Sequence, residues 1–177
     1  MSPVMPSGVI TLFAGAVPRN AFDASDVFGG MRPRIYFAGP LFCRAERDYN
    51  ERARSELEAE GYEVFLPQDI VPPAGDDMHV ALFEADMEEL HRCDVFVYNL
   101  DGRVPDEGAA VELGYAYAAG IPCFAIKTDL RVSEMGGDNA MITGILRGRT
   151  AGSFGELAAM IRAGLALETI NTRCSDS

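Results

Sequence analysis

CDVFVYNL, residues 93–100, is apolar through its centre and lacks the polar alternation of a strand with one face in water. A strand of that kind is buried on both faces, as in a parallel sheet covered by helices on either side. The chain around it keeps to that plan from residue 34 onward. RIYFAG (34–39) reads as a strand running into a Gly-Pro turn, and AERDYNERARSELEAEG (45–61) as a helix closed by Gly61. YEVFLP (62–67) reads as the next strand, followed by the Pro-rich loop PQDIVPPAGDD (67–77). A helix is expected near 79–92, where Val80, Phe83, Met87 and Leu90 recur at helical spacing. After 93–100 come a loop (102–108), a helix (108–120) and a fourth strand, IPCFAI (121–126). A short helix within 134–147 and an amphipathic one at 154–167 complete the series. Regular alternation of this kind predicts a doubly wound α/β fold, a flavodoxin-like or Rossmann-like three-layer sandwich on a parallel sheet of four to five strands.

One domain is expected over residues 31–170, with an N-terminal extension (1–30) of unassigned role and a polar tail (171–177). A length of 177 residues, 48% hydrophobic and 24% charged, suits one globular core. Fifteen Lys and Arg against 27 Asp and Glu give a formal net charge of -12. Such a chain repels nucleic-acid polymers and anionic membrane surfaces, so neither is expected as a partner. GVITLFAGAV (8–17) has no preceding Lys or Arg and is too short to span a bilayer, so no signal peptide is expected. Cys43, Cys93, Cys123 and Cys174 show no metal-type spacing, which fits a reducing cytoplasm.

Open α/β sheets bind ligands outside the carboxyl ends of their strands, which directs attention to the loops at 38–44, 67–78, 100–108 and 127–140. Neither a GxGxxG turn after the first strand nor a GxxxxGK[ST] loop is present, which argues against dinucleotide and P-loop chemistry. Carboxylates stand out instead. Glu112 interrupts the small, apolar run DEGAAVELGYAYAAG (106–120), and its side chain leans back over Gly108 toward the ligand edge. Asp106 precedes that helix, where its ordinary role is an N-terminal cap. Asp86 lies on the preceding helix among Glu84, Glu88 and Glu89, a setting that ordinarily means a solvated acidic face. Cleavage of a glycosidic bond gives a pair of acids distinct work: one attacks or stabilises the anomeric carbon, the other hands a proton to the leaving atom.

YFAGPLF (36–42), ADMEELHRCDVFV (85–97), DEGAAVELGYA (106–116) and DNAM (138–141), in this order, resemble the nucleoside 2-deoxyribosyltransferase family over roughly residues 34–145. The most specific element is D-x-G-x-x-x-E-L-G, formed by Asp106, Gly108, Glu112, Leu113 and Gly114. The resemblance implies that Glu112 is the nucleophile, forming a covalent 2-deoxyribosyl ester, and that Asp86 protonates the departing base and deprotonates the incoming one. It also implies that Asp106 and Asn139 hold the sugar 5′-hydroxyl, with Asn139 supplied by another subunit of a homo-oligomer, and it adds Gly108 and Met141 to the substrate-binding candidates. Tyr36, Phe42 and Gln68 fall where the family surrounds the sugar and base, although Tyr36 and Phe42 could equally be core aromatics.

The activity so implied is exchange of the deoxyribosyl group between free nucleobases and purine or pyrimidine 2′-deoxynucleosides, as in nucleoside salvage. It calls for no metal and no organic cofactor. Two other readings compete with it. A hydrolase of the same fold would cleave 2′-deoxynucleoside 5′-monophosphates, with Arg103 or Ser133 reaching the phosphate, while Asp106 would oppose a dianion. A non-catalytic nucleotide-binding domain would have no need of both Asp86 and Glu112.

Overall fold

The computed structural model describes residues 32–71, 77–129 and 139–175. The extension 1–30 and Ser133 lie outside the described residues. In chain order the elements are β1 (Arg34–Ala38), α1 (Arg44–Ala59), β2 (Glu63–Phe65), a 3-10 turn (Pro67–Asp69), α2 (Met78–His91), β3 (Val95–Asn99), α3 (Glu107–Ala118), β4 (Cys123–Ile126), α4 (Ala140–Leu146), β5 (Thr150–Ala151) and α5 (Phe154–Ser175). The five strands pair in parallel in the order β2-β1-β3-β4-β5. This is the flavodoxin-like winding, in which the chain reverses its direction of travel between β1 and β3 and opens a crevice there.

Strand alternation builds the two cores. Ile35, Phe37, Val95, Val97, Phe124 and Ile126 project to one face and pack with Leu57 of α1 and Leu157 and Ile161 of α5. Tyr36, Phe96, Tyr98 and Ala125 project to the other and meet Leu90 of α2, Leu113 of α3 and Ile142 of α4. β3 is buried at every position, as its composition predicts. Gly61, at φ 96, closes α1 in the left-handed conformation open to glycine. Gly39 answers a different need: a Cβ there would stand 2.7 Å from Asn99 Cβ, so only glycine lets the β1 loop cross the end of β3.

Three features differ from the sequence expectation. The helix expected over 154–167 continues to Ser175, through most of the segment expected to be a tail. β5 is a strand of two residues, too short to carry a period in the sequence. The apolar stripe of α2 is only partly used: Leu90 is buried, whereas Phe83 is 61% and Val80 55% exposed.

Candidate active site

Tyr36 leaves β1 on the face covered by α2 and α3. Its ring has no exposed surface, stacking on Phe96 at 5.9 Å and tilting against Phe65 at 5.4 Å. Its hydroxyl reaches two carboxylates, lying 2.8 Å from Glu112 Oε1 and 3.2 Å from Asp86 Oδ1. The helices determine that meeting. Ala109, Leu113 and Ala116 form the buried stripe of α3, and Glu112 flanks it, half-buried. Asp86 stands one turn before the buried Leu90 on α2 and so turns inward, whereas Glu84 and Glu88 face water. Glu89 makes a 2.5 Å ion pair with Arg34. The acidic run therefore divides by helical phase into solvated, paired and inward-facing members.

Burial dominates the electrostatics. It pushes the Glu112 carboxyl up to about 7, helped by the neighbouring Asp86 and Asp106 charges and opposed by the Tyr36 hydrogen bond. Asp86 is raised by burial as well, again against the Tyr36 hydrogen bond. Burial and the two carboxylate charges drive the Tyr36 hydroxyl far above the ordinary tyrosine range, so it stays neutral. An acid that titrates near neutrality can serve as base, nucleophile or acid according to where its proton sits.

Beside this cluster, at the β1/β3 switch point, lies a cavity of about 780 Å³ bordered by Phe42, Tyr49, Asn99, Arg103, Asp106 and Gly108, among others. Tyr36, Asp86 and Glu112 do not line it. Cavity and acids adjoin at Asp106, whose charge acts on Glu112 and whose backbone carbonyl accepts the Tyr98 hydroxyl. Asp106 Oδ1 accepts from Ala109 N at 2.9 Å, capping α3. Gly108 leaves room for that cap, since a Cβ there would lie 3.3 Å from Asp106 Oδ1. Ala109 is small for another reason: it is 2% exposed and packs into the core.

Of the residues anticipated from the sequence, Tyr36, Asp86 and Glu112 come together, and Phe42, Asp106 and Gly108 line the cavity. Phe42 is 82% exposed. Gln68 is engaged by the protein itself: its Oε1 accepts from Asn50 Nδ2 at 3.1 Å and its Nε2 donates to Glu51 Oε1 at 2.8 Å. Asn139 caps α4 by accepting from Met141 N at 2.9 Å, and both residues are exposed there. No hydrogen bond within this chain ties either one to the carboxylate cluster among the described residues.

Asn99 and Asp101 escaped the sequence reading. Asn99 is 3% exposed and borders the cavity, with its Oδ1 accepting from Asp101 N. Asp101 accepts from Thr128 N and Oγ1, both at 2.6 Å, and from Asp129 N at 2.8 Å, joining the loops after β3 and β4. The signal was available: Asn99 ends β3 and Asp101 lies two residues beyond, so these polar residues stand at the ligand-facing carboxyl end of an otherwise apolar-centred parallel strand. Among the described residues no group of three or more His, Cys, Asp or Glu side chains is arranged to hold a metal ion.

Fold and site together define an open α/β protein of flavodoxin-like strand order, with an acid pair beside a switch-point cavity. The sequence matches the family model for nucleoside 2-deoxyribosyltransferase over residues 35–160, and the chain belongs to that family, whose enzymes act on nucleosides. Among solved structures it is similar to a conserved protein from Enterococcus faecalis V583, at 30% identity and a TM-score of 0.64, covering 75% of this chain and 99% of that one. The fold is also shared with a 2-deoxyribosyltransferase from Leishmania mexicana (24% identity, TM-score 0.60, 74% of this chain and 97% of that one). A 2-deoxyribosyltransferase from the psychrotolerant bacterium Bacillus psychrosaccharolyticus has it too (23%, TM-score 0.58, 71% and 90%). No curated protein matches the sequence significantly. Among the described residues no helix is long and apolar enough to cross a membrane.

Proposed function

We propose that the protein transfers the 2-deoxyribosyl group between nucleobases by double displacement. The observation that carries this reading is the convergence of Glu112 and Asp86, from separate helices, on one tyrosine hydroxyl beside the switch-point cavity. In its ionised form Glu112 attacks C1′ of a 2′-deoxynucleoside while Asp86 delivers a proton to the departing base. The glycosidic bond breaks and a glutamyl ester forms. A second base, deprotonated by Asp86, then attacks C1′ and releases Glu112, so that two inversions give net retention. In this scheme Asp106 and Asn139 hold the sugar 5′-hydroxyl, Phe42 offers a ring to the base, and the protein chemistry needs no added cofactor.

Asn139 is proposed to act across a subunit interface of a homo-oligomer. Exposed apolar side chains on α2, α3 and α4, namely Phe83, Val111 and Met141, support an association of that kind. The hydrolase reading keeps one observation in its favour, Arg103 at the cavity wall. Against it, the N-terminus of α3, a natural phosphate cradle, is already occupied by the Asp106 carboxylate. Incubation with deoxyinosine and adenine or cytosine, with products resolved by chromatography, tests the proposal. New deoxynucleoside supports transfer, whereas release of free base and deoxyribose alone overturns it. Thymidine compared with its 5′-monophosphate separates the two substrate classes.

A further inference from the structure

The hydroxyl of Tyr36 carries one proton and stands within reach of two carboxylate oxygens. A hydroxyl donates once and accepts at its lone pairs, so Tyr36 cannot donate to both acids. Were both ionised, one close oxygen pair would be two acceptors facing each other without a proton. The groups around the pair do not relieve that conflict: Asp86 comes from α2, Glu112 from α3, Asp106 from the loop before α3 and Tyr98 from β3, all acidic or neutral. We infer that Tyr36 is a proton bridge, which holds one acid proton in common between Glu112 and Asp86 and passes it from one to the other.

Two arrangements satisfy every donor. In one, Glu112 carries the shared proton and donates it to Tyr36 Oη, while Tyr36 donates to Asp86 Oδ1. In the other, Asp86 donates to Tyr36 Oη and Tyr36 donates to Glu112 Oε1. Interconversion moves the Glu112 proton onto Tyr36 Oη as the tyrosine proton moves onto Asp86, so one O–H bond breaks and one forms at each step of the chain. Tyr36 is neutral at both ends of the exchange, and its burial, which strongly disfavours the phenolate, makes a concerted shift the accessible route. Only the second arrangement has a bare Glu112 and a loaded Asp86. One proton shift therefore arms both acids together. The ring of Tyr36, fully buried, serves this geometry and not ligand contact.

Tyr36→Phe tests the bridge, since it keeps the ring and its packing and removes only the hydroxyl. The kinetic consequence rests on the transfer reading above, and the titration does not. Carboxyl-carbon NMR should show Glu112 titrating about one pH unit higher in Y36F, because its anion loses a hydrogen bond from a neutral donor. If base exchange occurs, the acid limb of the kcat/KM profile should rise with Glu112. A purely structural role would lower the height of the profile and leave that limb in place, which would overturn the bridge. An unmoved Glu112 titration would overturn it whether or not the protein exchanges bases. Should Y36F fail to fold by circular dichroism, Asp86→Asn supplies the measurement. With no second acid to share the proton, Glu112 should titrate lower than in the wild type, and an unchanged value would refute the sharing.

Discussion

Tyr36 on β1 and Glu112 on α3, 76 residues apart in sequence, are joined by a hydrogen bond of 2.8 Å. The tyrosine is rigid because its ring is held between Phe96 and Phe65, so the helix carboxylate is fixed against the sheet at a defined point. Preorganisation of this kind suits a nucleophile, since its rotamer need not be selected anew at each turnover.

Replacement of Glu112, the proposed nucleophile, should be severe. Glu112→Ala is expected to reduce base exchange by roughly 10³-fold or more, the scale seen when a covalent nucleophile is removed. Chromatography of the exchange products measures the loss. Mass spectrometry of the quenched wild-type reaction should show the deoxyribosyl adduct, and the variant should not.

The same residue costs stability at neutral pH. Its folded pKa, about 7, lies above the ordinary 4.5, so its contribution is fully present below about 4.5 and is lost as pH rises through about 7. Glu112→Gln should therefore be more stable than the wild type at pH 8, by at most about 3 kcal/mol, and show a much smaller difference at pH 4. Thermal melts at the two pH values check the sign, and an equal shift at both would contradict it.

Asp86→Asn should slow exchange by roughly 10²–10⁴-fold, the usual worth of a positioned general acid. The loss should shrink for a nucleoside whose base departs readily without protonation. A series of leaving groups of graded basicity measures this, and a uniform loss across the series would remove Asp86 from the acid role.

Asp106 couples a cap to a charge, and the two can be separated. Asp106→Asn keeps a capping oxygen, and helix stability should change little; Asp106→Ala should cost about 1 kcal/mol. Both should raise KM for the nucleoside, and the Asn variant should narrow the preference for nucleoside over 5′-monophosphate by removing the opposing charge. Parallel kinetics on the two substrates would show it.

Gly39→Ala should destabilise the fold by about 1–3 kcal/mol, the typical cost of overpacking. The added carbon meets Asn99 Cβ at 2.7 Å, and both partners are anchored in the loop and strand ends that frame the cavity. Denaturant unfolding gives the magnitude, and a neutral result would show that the β1 loop yields.

Much of the architecture is written locally. The unbroken apolar run of β3 demands two covered faces, and the helical stretches between strands supply the cover, so parallel winding follows from composition and order. Glu112 is legible for a related reason, since a carboxylate in a run of small apolar residues conflicts with its surroundings. Asp86 is legible through family resemblance alone, because four acids crowd its helix and only helical phase against Leu90 tells which one turns inward. The two-residue β5 leaves no pattern to read.

By itself the sequence determined the sheet type, the succession of elements and the family, because apolar periodicity and a compact motif lie within short reach along the chain. The tertiary structure alone decided how the acids are joined. Contacts spanning 50 and 76 residues depend on the register of β1 beneath two helices, and burial, which moves the proton affinity of Glu112, exists only once those layers close. The amide of Gln68 illustrates the same point: its residue type suits a base, but packing beside Asn50 and Glu51 commits it to the protein.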